Sequence, residues 1–168
     1  MSERKRRFLT GALSLYIAFV FIQSLFFKFT DSPETRHIFG TLDAWAAGWG
    51  FPGLFAPTGP FSQYVVGTGE LVASLLLLAG LLTGRVALQG AGAALALGVI
   101  SGAIFFHLFT PLGIQVLNTD GSLDGGELFA LACGVWIASA GILVLRRSAL
   151  MALTPLGSPR SRARVGRS

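Results

Sequence analysis

Charged residues are scarce in this chain, which indicates that much of its surface lies in an apolar environment. Only 12% of the 168 residues are Asp, Glu, Lys or Arg, whereas 52% are hydrophobic. A soluble domain usually carries about a quarter charged residues. The hydrophobic residues also form long unbroken blocks, whereas a core helix of a soluble protein shows polar residues every third or fourth place. The composition therefore predicts a membrane protein.

Cysteine and histidine are nearly absent, and this removes several classes of enzyme. A thiol–disulfide enzyme needs a second thiol to release the mixed disulfide, but Cys133 is the only cysteine. We interpret it as a small core residue. A metal site built from His107, Glu70 and Glu127 lacks diagnostic ligand spacing, and His37 lies outside the hydrophobic blocks, which disfavours a pair of haem ligands. No metal is expected, and no phosphate loop, serine triad or cysteine cluster is present.

Four hydrophobic blocks are long enough to cross a bilayer, which takes about 20 apolar residues per helix. They lie at residues 8–29, 61–83, 86–109 and 127–145. The strict alternation of barrel strands is missing. The first block is longer than the apolar core of a secretory signal and is not followed by a small-residue cleavage site, so we expect it to be retained. The predicted fold is all-α, a four-helix transmembrane bundle.

The net charge of +5 is distributed unevenly along the chain. Eleven of the 13 Lys and Arg residues lie at residues 4–7, at Arg85 and at residues 146–167, which share one side of a four-span protein. Only Lys28 and Arg36 fall on the other side. This positive-inside asymmetry predicts a multi-pass protein of the inner (cytoplasmic) membrane with both termini in the cytoplasm. The same placement explains the basic bias without nucleic acid, which we do not expect as a partner.

The charge pattern divides the chain into three parts. Residues 1–7 form a basic cytoplasmic N-terminus, residues 8–145 form the four-helix transmembrane domain, and residues 146–168 form a basic tail. Proline and repeated arginine in the tail predict disorder and contact with anionic lipid. The bilayer is therefore the first expected partner.

A shorter helix is predicted between the first two spans. Ser32 precedes Pro33 and an acid in the first turn, which is typical of a helix start. Apolar residues then recur at helical spacing, namely Ile38, Leu42, Trp45 and Trp49. The segment is too short and too polar to span, so we predict an amphipathic helix in the outer interface, with its tryptophans at headgroup level.

The third and second spans are predicted to pack closely. Only Gly84 and Arg85 separate them, so they form a tight antiparallel hairpin. Small residues then recur at every fourth place of the third span, at Gly90, Ala94, Gly98 and Gly102. Such a stripe allows close helix packing in lipid.

Polar residues in the spans predict a site toward the outer face. An ionisable group at the centre of a span costs roughly 2.5–3.5 kcal/mol by insertion scales, so Glu70 must find partners inside the bundle. At about 1.5 Å per residue, Glu70 lies roughly 22 Å and Gln23 roughly 24 Å above the inner basic residues, whereas the inner half of the bundle contributes almost no polar group. We predict an outward polar pocket floored by Glu70 and Gln23 and rimmed by Lys28, His107, Asp124 and Glu127.

A structural interpretation of the same residues stays open. Lys28, His107 and Glu127 lie at interfacial height, where long or polar side chains at helix ends reach toward water. Glu127 also begins a helix, where the dipole favours an anion. Glu70 and Gln23 can equally form a buried structural hydrogen bond. The sequence does not decide between a working pocket and a satisfied helix junction.

Short motifs at these residues resemble those of a known family. They are FKFTDSPE at residues 27–34, GEL at 69–71, HL at 107–108 followed by LGI at 112–114, and DGGELF at 124–129. The chain is similar in these motifs to the DoxX-like family of small bacterial membrane proteins, over nearly its whole length except the tails. The resemblance implies a four-span bundle in the cytoplasmic membrane.

The resemblance leaves the activity open, because relatives are linked to thiosulfate:quinone oxidoreduction, to membrane oxidative-stress complexes or to methylamine-dehydrogenase maturation. No catalytic residue carries over. The first hypothesis is an auxiliary or redox-linked subunit that acts with a quinone or a partner oxidoreductase. The alternatives are a protein that binds or transports a small solute or lipid-like ligand, and a structural assembly partner without catalysis. Homo-oligomerisation is compatible with each, and whether the chain is an enzyme is not decided.

Overall fold

The computed structural model describes residues 1–118 and 120–151. Within these residues the fold is all-helical, and the only extended pairing is an isolated bridge between Leu117 and Leu123. The five helices are α1 (Glu3–Phe29), α2 (Pro33–Gly48), α3 (Gln63–Thr83), α4 (Val86–Phe109) and α5 (Glu127–Met151). The four long helices are each long and apolar enough to cross a membrane, which confirms the predicted set of spans and supports a multi-pass membrane protein.

The long helices form a four-membered ring in the order α1, α3, α4, α5, each packed on two neighbours. One end of the bundle holds residue 1, the α3–α4 connection and the last residues of α5; we call it the terminal end. The other end holds α2 and the long loops, and we call it the cap end. The α1–α5 contact therefore lies opposite the α3–α4 contact.

Two helices run further at the terminal end than the sequence predicts. α1 begins at Glu3 instead of residue 8, because the Ser2 side chain caps it by accepting a hydrogen bond from the Lys5 amide. Arginine and lysine are good helix formers, so the basic segment joins the helix. α5 continues to Met151 instead of ending at residue 145. Residues 146–151 are thus helical, and the rest of the predicted tail lies outside the described residues.

The other predicted boundaries agree with the structure to within two residues: α3 begins at Gln63 instead of residue 61, because Ser62 caps it by accepting from the Val65 amide. Ser32 caps α2 by accepting from the Thr35 amide at 3.2 Å, and Pro33 is the first helical residue. α3 and α4 are joined by two residues. Gly84 adopts a left-handed conformation with φ of +69°, which glycine enters without steric cost and which ends α3 sharply.

The apolar side of α2 packs against protein at the cap end. Leu42 and Ala46 of α2 form a small hydrophobic cluster with Phe55, Leu112 and Val116 from the two long loops. Trp45 packs edge-on against Phe106 of α4, with ring centroids 6.4 Å apart. Trp49 is 71% exposed. The two tryptophans therefore have different surroundings: one belongs to the cap, and the other is free to meet a bilayer interface.

An apolar layer fills the middle of the bundle. It is made of the buried residues Ile17, Val20, Phe21, Ala73, Leu77, Ala93, Ala96, Ile100, Ala132, Val135, Ala138 and Ile142. α3 and α4 approach closely here, since a Cβ on Gly92 would lie 2.8 Å from the Leu77 amide nitrogen. The predicted stripe contributes less, because a Cβ on Gly98 or Gly102 would meet nothing within 4 Å. Only Gly90 of the stripe is tightly packed, against Leu150.

Candidate functional site

A buried ion pair joins α1 and α3 at the cap end. Lys28 Nζ lies 3.0 Å from Glu70 Oε1 and 3.0 Å from Oε2. The side chains are 15% and 7% exposed. Lys28 also donates to the Ser24 hydroxyl, one turn back on α1. Two predicted pocket residues are thus brought together as a pair, and each neutralises the charge of the other.

Gln63 and Asp31 hold the backbone around this pair. The buried Gln63 amide donates to the Lys28 carbonyl and to Asp31 Oδ1, both at 3.0 Å. These bonds tie the first turn of α3 to the last turn of α1. Ser24, Lys28, Asp31, Gln63 and Glu70 form one connected group, which we call the cap-end cluster. It fixes the position of Lys28 from both its backbone and its side chain.

The two oxygens of the Glu70 carboxylate differ in their contacts. Oε1 accepts a hydrogen bond from Lys28, whereas Oε2, although near Nζ, accepts no hydrogen bond from the described residues and is inaccessible to solvent. Buried acceptors are paired in the large majority of cases. The ammonium group of Lys28, 3.0 Å away, is therefore the only charged partner of Oε2 among the described residues.

His107 and Asp124 form a separate group where α4 ends and α5 begins. His107 is 8% exposed, and its Nδ1 lies 2.6 Å from the Gly113 carbonyl oxygen. A carbonyl only accepts, so Nδ1 carries the hydrogen. Asp124 organises the loop by accepting hydrogen bonds from the Val116, Gly126 and Leu128 amides.

The pKa of Asp124 is lowered from its ordinary value by the balance of two effects. Burial raises it, but the backbone amide donors, together with the positive potential of His107, outweigh burial and stabilise the charged form. Asp124 therefore stays ionised and holds the loop. The role visible for it is structural.

The other two predicted pocket residues lie apart from the ion pair. Gln23 is exposed on α1, in the same surface as Phe19 and Phe26, and Glu127 is exposed at the first turn of α5. Neither side chain hydrogen-bonds another residue of the described chain. The six candidate residues thus separate into the Lys28–Glu70 pair, the His107–Asp124 group and two exposed side chains.

Two open surface depressions lie at the terminal end. One is lined by residues of the first turn of α1 and the last turns of α5, and the other by residues at the start of α1. Among the residues that the structure describes, no group of three His, Cys, Asp or Glu side chains is arranged to hold a metal ion. The predicted outward pocket stays a prediction, and its core is the ion pair.

The expectation that the inner half is almost without polar groups is wrong. Arg146 is 7% exposed at the terminal end, and its guanidinium donates to Gln89 Oε1 at 3.2 Å, Glu3 Oε1 at 3.2 Å and Thr10 Oγ1 at 3.1 Å. Gln89 in turn donates to Ser14 Oγ at 3.0 Å. We call these five residues the terminal-end cluster. It joins α1, α4 and α5.

Helical spacing could have found part of what the prediction missed. Gln63 lies seven residues before Glu70 and Ser24 four before Lys28, so each pair shares one helix face. For Arg146 the sequence offers no such signal, since an arginine at the end of a span is ordinarily expected to reach water. Its burial depends on how α5 is rotated, which only packing decides.

Comparison of the chain with protein-family models, with curated proteins and with solved structures finds no match. The DoxX-like resemblance therefore rests on its short motifs.

Proposed function

We propose that this chain is a multi-pass protein of the cytoplasmic membrane, with its terminal end inside, and that it acts as an auxiliary, redox-linked subunit. The observation that carries the proposal is the Lys28–Glu70 ion pair, largely buried within two helices apolar enough to span. Buried ionisable groups in such helices are costly, and they commonly mark proton or substrate sites. Some members of the DoxX-like family, which the motifs resemble, are linked to redox complexes, and this is compatible with the role.

The chemistry of the pair suits a quinone headgroup. A quinone that accepts two electrons from a partner oxidoreductase must also take up two protons. An ammonium group donates hydrogen bonds to a carbonyl oxygen, and a positioned carboxyl group can act as acid or base. Lys28 would exchange one of its contacts with Ser24 or Glu70 for a quinone carbonyl, and Glu70 would pass on one proton, while the second proton would come from water at the headgroup level.

Exposed aromatic side chains lie at the cap end of α1 and α3, and two of them meet between these helices. Phe27 is 39% exposed, Phe29 48% and Tyr64 38%, and the rings of Phe29 and Tyr64 lie 6.1 Å apart. Aromatic faces offer apolar contact area to a planar ring. A quinone can reach this surface from the lipid phase, so the proposal requires no enclosed cavity.

The test compares two carboxylates at the cap end. Glu70→Gln removes the charge and proton exchange of the pair while keeping the shape, and Glu127→Gln makes the same change at an exposed position. We expect Glu70→Gln to lower by at least tenfold the quinone retained per protein after purification in mild detergent, and to slow quinone reduction in the membrane. Glu127→Gln should resemble the parent. Equal quinone content in both variants, with unchanged reduction rates, would contradict the proposal.

A second candidate, a structural assembly partner, is favoured by a specific observation. The cap-end cluster satisfies most of its polar groups internally, as a clamp between α1 and α3 would. The variant Lys28→Met/Glu70→Leu distinguishes a structural clamp from a redox-linked site, because replacing both ions with apolar groups often preserves stability. A clamp would keep the function of the chain in this variant, whereas a redox-linked site would lose it.

Transport of a polar solute fits the fold less well. The apolar layer lies between the two polar clusters on α1, where Ile17 and Phe21 separate Ser14 from Ser24. A polar solute crossing the bundle would meet mainly apolar side chains at this level, with the buried hydroxyls of Ser74 and Ser139 among them. Binding of a lipid-like ligand at the α1–α3 surface is compatible with the geometry, and it shares the site of the first proposal.

A further inference from the structure

We propose that the groove between α1 and α5 at the terminal end binds the phosphate headgroup of an anionic phospholipid. The groove has a volume of about 290 Å³ and is lined by Met1, Arg6, Val144, Leu145, Arg147 and Ser148. It lies at the opposite end of the bundle from the Lys28–Glu70 pair, and the inference rests on the proposed membrane topology but not on the redox role.

The first argument is the shortage of negative charge at this end. Glu3 is the only acidic residue among the described residues there, and two guanidinium groups already share it. Its Oε1 lies 3.2 Å from Arg146 Nη1, and its Oε2 lies 3.4 Å from Arg6 Nη1. Arg147, exposed beside the groove, forms no ion pair with a described residue. Its guanidinium group is therefore free to pair with an external anion.

The second argument is the order of the lining along the helix axis. Arg147 and Ser148 lie at the end of α5, where they offer charged and hydroxyl donors, whereas Val144 and Leu145 lie one turn nearer the bundle centre. Val144 is 63% exposed. A phospholipid has the same sequence of groups, since its phosphate is followed by acyl chains that run toward the membrane centre. Basic pockets between spanning helices on the cytoplasmic side are a known type of headgroup site.

The third argument is that the part of α5 that lines the groove is held in place by hydrogen bonds. Arg146, the neighbour of Arg147, is anchored by its bonds to Gln89, Glu3 and Thr10. This anchoring sets the rotation of α5, and hence the direction in which Arg147 leaves the helix. A headgroup would meet an arginine whose backbone position is already determined.

The experiment uses the full chain in mild detergent at about 0.15 M salt, where charges more than about 8 Å apart are largely screened. Binding of phosphatidylglycerol, of phosphatidylcholine with the same acyl chains, and of inorganic phosphate is measured by native mass spectrometry and by the shift in the thermal midpoint. Arg147→Gln is compared with Arg85→Gln, which removes one exposed charge at the α3–α4 connection on the opposite side of the ring.

We expect phosphatidylglycerol to bind more tightly than phosphatidylcholine, and Arg147→Gln to weaken it about fivefold, as one juxtamembrane basic residue does. Arg85→Gln should change it less than about twofold. Equal losses in the two variants would indicate diffuse attraction and overturn the site. Equal binding of the two lipids would overturn recognition of the charge. Displacement of phosphatidylglycerol by inorganic phosphate at comparable concentration would identify a free-anion site and overturn the lipid assignment.

Discussion

The two polar clusters of this bundle satisfy buried charge in different ways. At the cap end, one ammonium and one carboxylate, both largely buried, neutralise each other across α1 and α3. At the terminal end, one buried guanidinium is held by the neutral groups of Gln89 and Thr10, and its carboxylate partner Glu3 is 60% exposed. At the cap end, removing either ion leaves the other buried without a counter-ion. At the terminal end, the carboxylate of Glu3 is exposed, so water can solvate it if Arg146 is removed. The two clusters should therefore respond differently to the loss of one member.

The largest expected effect is at the cap end. Lys28→Met leaves the Glu70 carboxylate buried without a counter-ion, and breaking a buried pair in this way costs about 3–5 kcal/mol. The double variant Lys28→Met/Glu70→Leu should recover most of this loss, because no charge then remains buried. Reversible unfolding of the full chain in mixed micelles measures both. If the double variant were as unstable as Lys28→Met, the loss would not come from the unpaired charge of Glu70.

A smaller loss is expected from Arg146→Met at the terminal end. The change leaves Gln89 Oε1 as a buried acceptor without its donor, which costs about 1–3 kcal/mol, while Glu3 turns to solvent. The same unfolding measurement applies, with Arg147→Met as the exposed neighbouring control. If Arg146→Met destabilised the chain as much as Lys28→Met, the proposed contrast between the clusters would be lost.

The apolar layer between the clusters provides the third comparison. Gly92→Leu forces a side chain against the Leu77 backbone, and overpacking of this kind costs about 1–3 kcal/mol. Gly98→Leu, on the same helix, enters open space and should leave the unfolding free energy of the single chain unchanged. A large loss from Gly98→Leu would instead reveal a second chain packed on that face.

The smallest effect concerns pH and should appear only in the loop at the cap end. Because the folded pKa of Asp124 lies below its unfolded value, its stabilisation is fully present above the unfolded pKa of about 3.9. It is lost as the pH falls through the lower folded pKa. The protection of the Val116, Gly126 and Leu128 amides against hydrogen exchange, relative to their intrinsic rates at each pH, should fall in that range, and Asp124→Asn should abolish the dependence. Unchanged exchange down to the lowest accessible pH would contradict this role.

Sequence reasoning succeeded where structure is decided locally. Long apolar blocks, the Ser32 cap and the two-residue connection at Gly84 predict the helices and their order, since each depends on neighbouring residues. It was least informative about which side of a helix faces the bundle. Gln23 and Ser24 differ by one residue, or about 100° of rotation, yet Gln23 is exposed and Ser24 contacts Lys28. Depth along the membrane normal can be counted from the chain, but rotation is set by packing against the other helices.

The two-residue connection at Gly84 and Arg85 also has a consequence for biosynthesis. If the chain crosses a bilayer as proposed, so short a link would bring α3 and α4 into it together as a hairpin. Glu70 would arrive with this hairpin, 42 residues after Lys28 has been synthesised. Lys28, near the end of α1, can remain at the headgroup level until then. Because Lys28 is translated before Glu70, its ammonium group would already be in place when the carboxylate enters the membrane.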